Sequence, residues 1–348
     1  MDRLFIPLLA FVPIAIGAAL AGVSPVIVFF ISAIAIVPLA KYIGQSTEEL
    51  ATRTSPVLGG LLSASFGNAT ELIIGIFALN AGLIEVVKAS ITGSIIGNLL
   101  LVPGLAMFWG GLRREKQTFN KTGILAQSST LFLATIALVV PAIFFQTEGG
   151  SAVPAVEGLS VVVSLVLVCM YGANLLFSLH THKHLYLQEA GQFQPRWSTA
   201  RAVATLVAAT VAVACVSDIL VASIEPLVAS LRWSQLFVGV IVLAVAGNAA
   251  ENLSAVLVAR KNRMDLSLQI SIGSATQIVL VVAPVLVVLG ALLGQPMNLI
   301  FNTSELVAMT LAVLIVNFIV QDGESNWLEG LQLLAAYTIM GAAFFLHP

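Results

Sequence analysis

Residues 67–72 read Gly67-Asn68-Ala69-Thr70-Glu71-Leu72, and residues 247–252 read Gly247-Asn248-Ala249-Ala250-Glu251-Asn252. Four of the six positions are identical, and each pair lies 180 residues apart. The same offset, with no insertion, pairs Gly59 with Gly239 and Glu85 with Asp265. It also pairs Gly93-Ser94 with Gly273-Ser274, Leu100 with Leu280 and Val102 with Val282. Chance supplies one short match but does not hold one register over more than forty residues. The chain therefore contains an internal repeat.

The sequence around both copies is apolar. Of 348 residues, 59% are hydrophobic and 9% charged, with a mean hydropathy of +1.02. A water-soluble domain carries about a quarter charged residues, so that class is excluded, as are disordered, collagen-like and coiled-coil chains. A membrane-spanning helix needs about 20 apolar residues. Runs of that kind fall at about 4–22, 24–43, 57–80, 82–109, 124–145, 154–179, 199–223, 234–258, 264–292, 303–320 and 326–346. The expected fold is all-α and polytopic, with about 11 spans. β-Barrel strands would be half that length and strictly alternating. The first run is long, and its flank is too weakly charged, for a cleaved signal peptide.

With the N-terminus in the cytoplasm, alternate connections collect Arg3, Lys41, Arg53, Arg113, Arg114, Lys116, Lys121, Lys183, Arg196, Arg201, Arg260, Lys261 and Arg263 on the cytoplasmic side. The other side holds Arg232 alone, with Lys88 just inside the fourth span. A bias of thirteen to one sets the orientation and supports the odd count, which puts the C-terminus on the opposite side. The repeat occupies spans three and four, then eight and nine. Five spans separate the copies, so they cross the bilayer in opposite senses, as in inverted-repeat secondary transporters. The expected organisation is an extra helix over 1–23, a first five-helix unit over 24–180, a cytoplasmic connection over 181–198 and a second unit over 199–348.

A carboxylate inside a span costs roughly 2.5–3.5 kcal/mol on insertion scales, so it is kept for a partner or a task. Glu71 and Glu251 sit at equivalent depths of opposed spans and should converge near the midplane, sharing protons or a cation. Asn68 and Asn248, three residues earlier, share their helix faces and offer amide oxygens. Gly67 and Gly247 are expected to break their helices and free backbone carbonyls. On the partner spans, Ser94 shares a face with Asn98 and Ser274 with Gln277; at the 180 offset Asn98 pairs with Ile278, so the match to Gln277 needs a one-residue slip. An all-oxygen set with two negative charges suits Ca²⁺, which takes about 6–8 oxygens, better than a soft metal.

Other charges read more plainly. Glu85 and Asp265 open helices, with Lys88 one turn from Glu85, and Glu305 and Glu329 stand near the starts of spans ten and eleven. Glu49 and Arg53 have the spacing of a surface pair on a helix. His180, His182 and His184 alternate in the largest connection, most simply as a solvated loop. Cys169 and Cys215 lie inside apolar runs and form no disulfide framework. A net charge of −2 provides no basic footprint for nucleic acid.

The two signature segments, Gly67–Leu72 with Gly93-Ser94-Ile95-Ile96-Gly97-Asn98 and Gly247–Glu251 with Gly273-Ser274-Ala275-Thr276-Gln277, resemble the cation/proton exchanger family of the Ca²⁺/cation antiporter superfamily. The resemblance covers nearly the whole chain. It implies a secondary antiporter exchanging cytoplasmic Ca²⁺ for H⁺, not an enzyme, with Glu71 and Glu251 binding both ions and no cofactor besides the transported Ca²⁺. The expected partners are Ca²⁺, H⁺ and the bilayer, with room for a homo-oligomer. The membrane would be the cell membrane in a prokaryote and otherwise that of an acidic compartment. Asn252 stands where many members have His, and Glu189 is the only acid in 181–198, so neither a titrating group at 252 nor an acidic sensing loop is implied. The alternatives are a Na⁺-coupled exchanger of the same superfamily and a cation channel, whose selectivity ring would need oligomeric symmetry. The chain lacks the Gly-x-Gly-Asp, His-Glu-x-x-His and Asp-Asp-x-x-Asp patterns of intramembrane enzymes.

Overall fold

Backbone polar groups in hydrocarbon must be satisfied within the chain, so long apolar runs become helices and their breaks fall where Pro, Gly or Asn interrupts the ladder. The computed structural model describes residues 2–54, 56–147, 153–182 and 195–346. The helices there are α1 Asp2–Leu8, α2 Phe11–Leu20, α3 Pro25–Ala51, α4 Pro56–Gly67, α5 Ala69–Asn80, α6 Ile84–Gly111 and α7 Lys121–Thr147. There follow α8 Val153–Leu176, α9 Thr199–Ala222, α10 Ile224–Leu231, α11 Gln235–Arg260, α12 Met264–Leu292, α13 Thr303–Ile319 and α14 Trp327–Leu346. Among the described residues eight helices are long and apolar enough to cross a membrane, and three apolar stretches are shorter, Phe5–Leu20, Ala69–Asn80 and Thr303–Ile319. All eleven apolar runs of the sequence fall on helix.

Two runs are interrupted, the first where no break was expected and the third where Gly67 predicts one. The first breaks at Leu9-Ala10, where Pro13 has no N–H to give the Leu9 carbonyl and the α-helical ladder between α1 and α2 is interrupted. The third breaks at Asn68, between α4 and α5, directly after Gly67. The break expected at Gly247 does not occur. Gly247 lies inside an unbroken α-helical stretch, Ala244–Arg260, in which Asn248 Nδ2 donates to the Ala244 carbonyl at 2.9 Å and ties the turn together. The widening in this half falls earlier, as π-type turns over Val238–Leu243. Similar turns interrupt α6 at Gly97–Leu101 and α12 at Ile278–Val282.

The opposed sense of the repeats is visible in the connections. The Trp233 ring, just before α11, packs on Phe30 near the start of α3. Arg53, just after the far end of α3 and just before α4, donates to Thr199 Oγ1 at 3.3 Å. Since α3 runs between these two ends, α4 and α11 start from opposite ends of the bundle. At the Arg53 end, α9 begins and α11 finishes. There Gln117 Nε2 donates to the Ala259 carbonyl at 2.9 Å and to Asn262 Oδ1 at 3.0 Å. A two-residue antiparallel ladder, β1 Gln117–Thr118 with β2 Glu324–Ser325, pairs Gln117 with Ser325. Beside it Lys116 donates to Glu324 at 2.6 Å, and the carboxylate holds that exposed ammonium above the usual lysine range.

α6 and α12 are the most buried of the long helices and α14 the least. α3 packs along α9, and α6 packs against the wide turns of α11. That second contact is backbone to backbone. A Cβ on Gly93 would fall 2.0 Å from the Val240 carbonyl oxygen, and one on Gly239 would fall 2.4 Å from Ala89 Cβ.

Candidate functional site

The helices α5, α6, α11 and α12 bring together every site residue expected from the repeat. Asn68, with φ −105° and ψ 27°, is the non-helical residue that starts α5, so Glu71 stands in the first turn of α5 rather than in mid-helix. From there a chain of hydrogen bonds crosses the interface. Asn68 Nδ2 donates to Gln277 Oε1 at 2.7 Å, and Ser274 Oγ donates to Asn68 Oδ1 at 3.4 Å. Asn98 Nδ2 donates to Ser274 Oγ at 3.0 Å and to Asn248 Oδ1 at 3.3 Å. Asn248 Nδ2 donates to Ser94 Oγ at 2.9 Å. Five of these six side chains are buried, and Gln277 is half-buried.

The pattern is reciprocal. The Asn248–Ser94 bond and the Asn68–Ser274 bond exchange places when the halves are exchanged. Gln277 and Asn98 both join the network, and the slip between them has a backbone cause. The wide turn begins at Gly97 in α6 but at Ile278, not Gln277, in α12, so Asn98 lies inside its turn and Gln277 just before its own.

The network reaches Glu251 through Ser274 but leaves one oxygen of each carboxylate unused. Oε2 of Glu71 and Oε2 of Glu251 are covered by protein and have no hydrogen-bond partner. Each residue keeps part of its surface accessible, and the two lie close enough for their charges to repel. Glu71 leans on the other half, because a Cβ on Gly247 would stand 3.4 Å from its Oε1. A Cβ on Gly67 would stand 3.4 Å from Gln277 Oε1. Both glycines thus leave room for an oxygen of the opposite repeat. The arrangement presents two carboxylates, each with one unpartnered oxygen, beside amide and hydroxyl oxygens, which suits a hard cation or protons.

A narrow apolar cleft leads from Glu71 and Ser94 past Ile74 to Ala78 and Val86, toward the end of the bundle away from Arg53. It has about 10 Å³ of room for water centres, which is about one water molecule. A second cleft, past Gly97 and Leu101 to Asn252, has none. A hydrated cation therefore needs a helix movement to reach the carboxylates from either end.

Some acids behave otherwise than expected. Glu49 is not a surface partner of Arg53. It is fully buried, and its carboxylate accepts from the Arg196 N–H at 2.9 and 3.0 Å and the Trp197 N–H at 3.1 Å. Arg53 instead donates to the Glu49 backbone carbonyl and to that of Trp197. No local pattern reveals such a bond, because the partners are main-chain groups some 147 residues away. Lys88 does pair with Glu85 at 3.6 Å, but it is buried and also donates to Asn298 Oδ1 at 2.9 Å. Glu305 is buried, closes a capping box with Asn302 and accepts from Thr92 Oγ1 at 3.1 Å. Asp265 accepts the Asn120 N–H. His180 and His182 end α8's extension, with His182 stacked on Phe177, while His184 lies outside the described residues.

Comparison with known proteins shows the family. The family described as "Sodium/calcium exchanger protein" matches twice, over residues 24–180 and 201–346. A Ca²⁺/H⁺ antiporter of Aphanothece halophytica is 47% identical, covering 100% of this chain and 97% of its own. The Ca²⁺/H⁺ antiporter ChaA of Bacillus subtilis is 43% identical, covering 99% and 100%. The solved structure of native YfkE superimposes with a TM-score of 0.87 at 40% identity, over 99% of this chain and 100% of that one. The chain belongs to the sodium/calcium exchanger protein family.

Proposed function

We propose that this integral membrane protein exchanges Ca²⁺ for H⁺ by alternating access, with Glu71 and Glu251 as the groups that bind one or the other. One observation carries the reading: each half supplies one covered carboxylate oxygen with no partner, at equivalent repeat positions. Two bare carboxylates in a low-dielectric interior repel, so the closed form is stable with Ca²⁺ or with protons bound and unstable with neither. Asn68, Asn98, Asn248, Ser94, Ser274 and Gln277 orient the carboxylates and contribute oxygens to the ion, and Gly67 and Gly247 keep space for it. The protein is a transporter rather than a catalyst, and it needs no cofactor besides the transported Ca²⁺.

The end bearing Arg53, Arg113 and Arg260 is assigned to the cytoplasm, which the thirteen-to-one charge bias supports. Two five-helix units, 24–180 and 199–348, with 1–23 as an added helix, are supported by the double family match and the reciprocal hydrogen bonds. The connection over 181–198 joins them.

The test is ⁴⁵Ca²⁺ flux in proteoliposomes with H⁺ and Na⁺ gradients imposed separately. The H⁺ gradient should drive uptake and the Na⁺ gradient should not; the reverse result assigns Na⁺ coupling. Glu71→Gln and Glu251→Gln should each abolish ΔpH-driven uptake, and retained uptake in either defeats the proposal. Because the ions compete for the same oxygens, acidification should weaken Ca²⁺ binding, by up to about two decades per pH unit for two carboxylates.

A further inference from the structure

At the end of the bundle assigned to the cytoplasm, α6 and α11 finish side by side. Trp109, Leu112, Arg113, Arg114 and Arg260 line a pocket of about 250 Å³ between them, far roomier for water than either cleft at the carboxylates. Three arginines line this one concavity, and the like charges they bring to it favour an anionic occupant. Among the described residues no carboxylate lies within ion-pair distance of any of the three. The nearby acids face elsewhere. Glu324 pairs with Lys116, Glu115 acts on that same ammonium, and Asp265 accepts the Asn120 N–H.

The arginines are not equally committed. Arg114 donates to the Gly110 carbonyl at 2.7 Å and to the Arg260 carbonyl at 3.2 Å, which caps both helix ends and offsets their negative dipoles. The Arg113 and Arg260 guanidiniums make no such bonds and rim the pocket from opposite repeats.

The level of the pocket is marked independently. Trp109 is 52% exposed in the last turn of α6, and Trp327, 45% exposed, opens α14 with its N–H packed at Gly111. Exposed tryptophans at helix ends mark the interfacial belt of a membrane. Leu112, in the pocket lining, and Leu328, next to Trp327 in sequence, are also exposed. A basic pocket at belt depth, with exposed Trp109 and Leu112 in its lining, matches a phosphodiester with acyl chains attached.

We propose that this pocket binds an anionic phosphate group, supplied by the headgroup of an acidic phospholipid or by free phosphate. The bound anion bridges Arg113 and Arg260. It thereby ties the end of the helix carrying Ser94 and Asn98 to the end of the helix carrying Asn248 and Glu251. Its presence or absence is a binding property that does not depend on which ion gradient drives transport.

The experiment is thermal unfolding of the purified full-length protein at fixed ionic strength. Three conditions are compared: micelles with phosphatidylcholine, the same with phosphatidylglycerol added, and phosphatidylcholine micelles with inorganic phosphate. Phosphatidylglycerol should raise Tm saturably by several degrees through binding to the folded state. The R113Q/R260Q variant should lose that rise, and Arg232→Gln, at the opposite end, should keep it. An equal rise with inorganic phosphate identifies free phosphate as the ligand; a rise with the lipid alone identifies the headgroup. No rise, or a rise that survives in R113Q/R260Q, overturns the proposal and leaves the arginines as helix caps and topology signals. Arg113→Lys keeps the charge and provides a second reading if the double variant fails to fold. Native mass spectrometry should find its phosphatidylglycerol adduct about tenfold weaker, because the planar fork is lost. An undiminished adduct counts against the site.

Discussion

The paired helices α4 and α5 and the single helix α11 carry the same signature in opposite senses, yet the first is interrupted at Asn68 and the second runs unbroken through Asn248. The local sequence does not separate them, since Gly-Asn-Ala is common to both. The difference lies in what each asparagine bonds to. Asn248 spends one amide proton on its own helix, at Ala244, and the other on Ser94. Asn68 gives its amide proton to Gln277 across the interface and leaves the backbone turn unsupported. Equivalent positions thus support the same ring of contacts through different backbones. A two-fold repeat in sequence is only approximately two-fold in mechanics.

The largest expected effect comes from a pair of glycines in equivalent positions. Gly93→Ala places a methyl against the Val240 carbonyl with no room to relax and should prevent recovery of folded protein. Gly273→Ala meets nothing within 4 Å among the described residues and should purify with an elution profile and Tm close to wild type. Equal behaviour of the two would refute the asymmetry described here.

Next come the asparagines. Asn248→Ala removes three hydrogen bonds and Asn68→Ala two, each of about 1–3 kcal/mol if its partner is left buried and unpaired. Both should raise the KM for Ca²⁺ in ⁴⁵Ca²⁺ flux by about tenfold or more, Asn248→Ala the further. A larger loss at Asn68 would locate the stricter demand in the broken half.

A third comparison concerns the ends of the halves. Glu49 has Ala229 as its counterpart at the 180 offset, so only the first half clamps the connecting segment with a carboxylate. Glu49→Gln should lower stability by about 1–2 kcal/mol, seen as a Tm drop, because an amide accepts the Arg196 and Trp197 N–H groups more weakly than a carboxylate. An unchanged Tm would mean that the clamp adds nothing. The smallest effects belong to Gly67→Ala and Gly247→Ala, whose methyl groups meet an oxygen at 3.4 Å that must yield slightly. The second presses on Glu71 and should reduce Ca²⁺ affinity a few-fold, whereas the first presses on Gln277 and should leave affinity nearly unchanged; titration with ⁴⁵Ca²⁺ distinguishes them.

The architecture was legible because apolar length, charge bias and a constant register all bear on topology without reference to side-chain partners. The members of the site were legible for a similar reason: spacings of three and four residues place Asn68 with Glu71, and Ser94 with Asn98, on common faces. The one-residue slip between Asn98 and Gln277 was visible too, though its cause, a displaced wide turn, was not. What escaped was whatever depends on a distant neighbour. Gly247 reads as a helix break until Asn248 is seen holding the turn. Glu49 reads as half of a surface pair until the chain returns at Arg196. The apolar flank of Trp109 becomes a pocket wall only once α11 ends beside it.

The contact between Gly93 and Val240 has a mechanical corollary. Main chain rests on main chain at the centre of the molecule, with no soft layer of side chains between to be squeezed or rearranged. A contact so stiff would serve as a fulcrum. Admission of ions alternately from each face must come from elements swinging around it, and a ligand that wedges apart its two arms would lock the exchanger without ever touching the carboxylates.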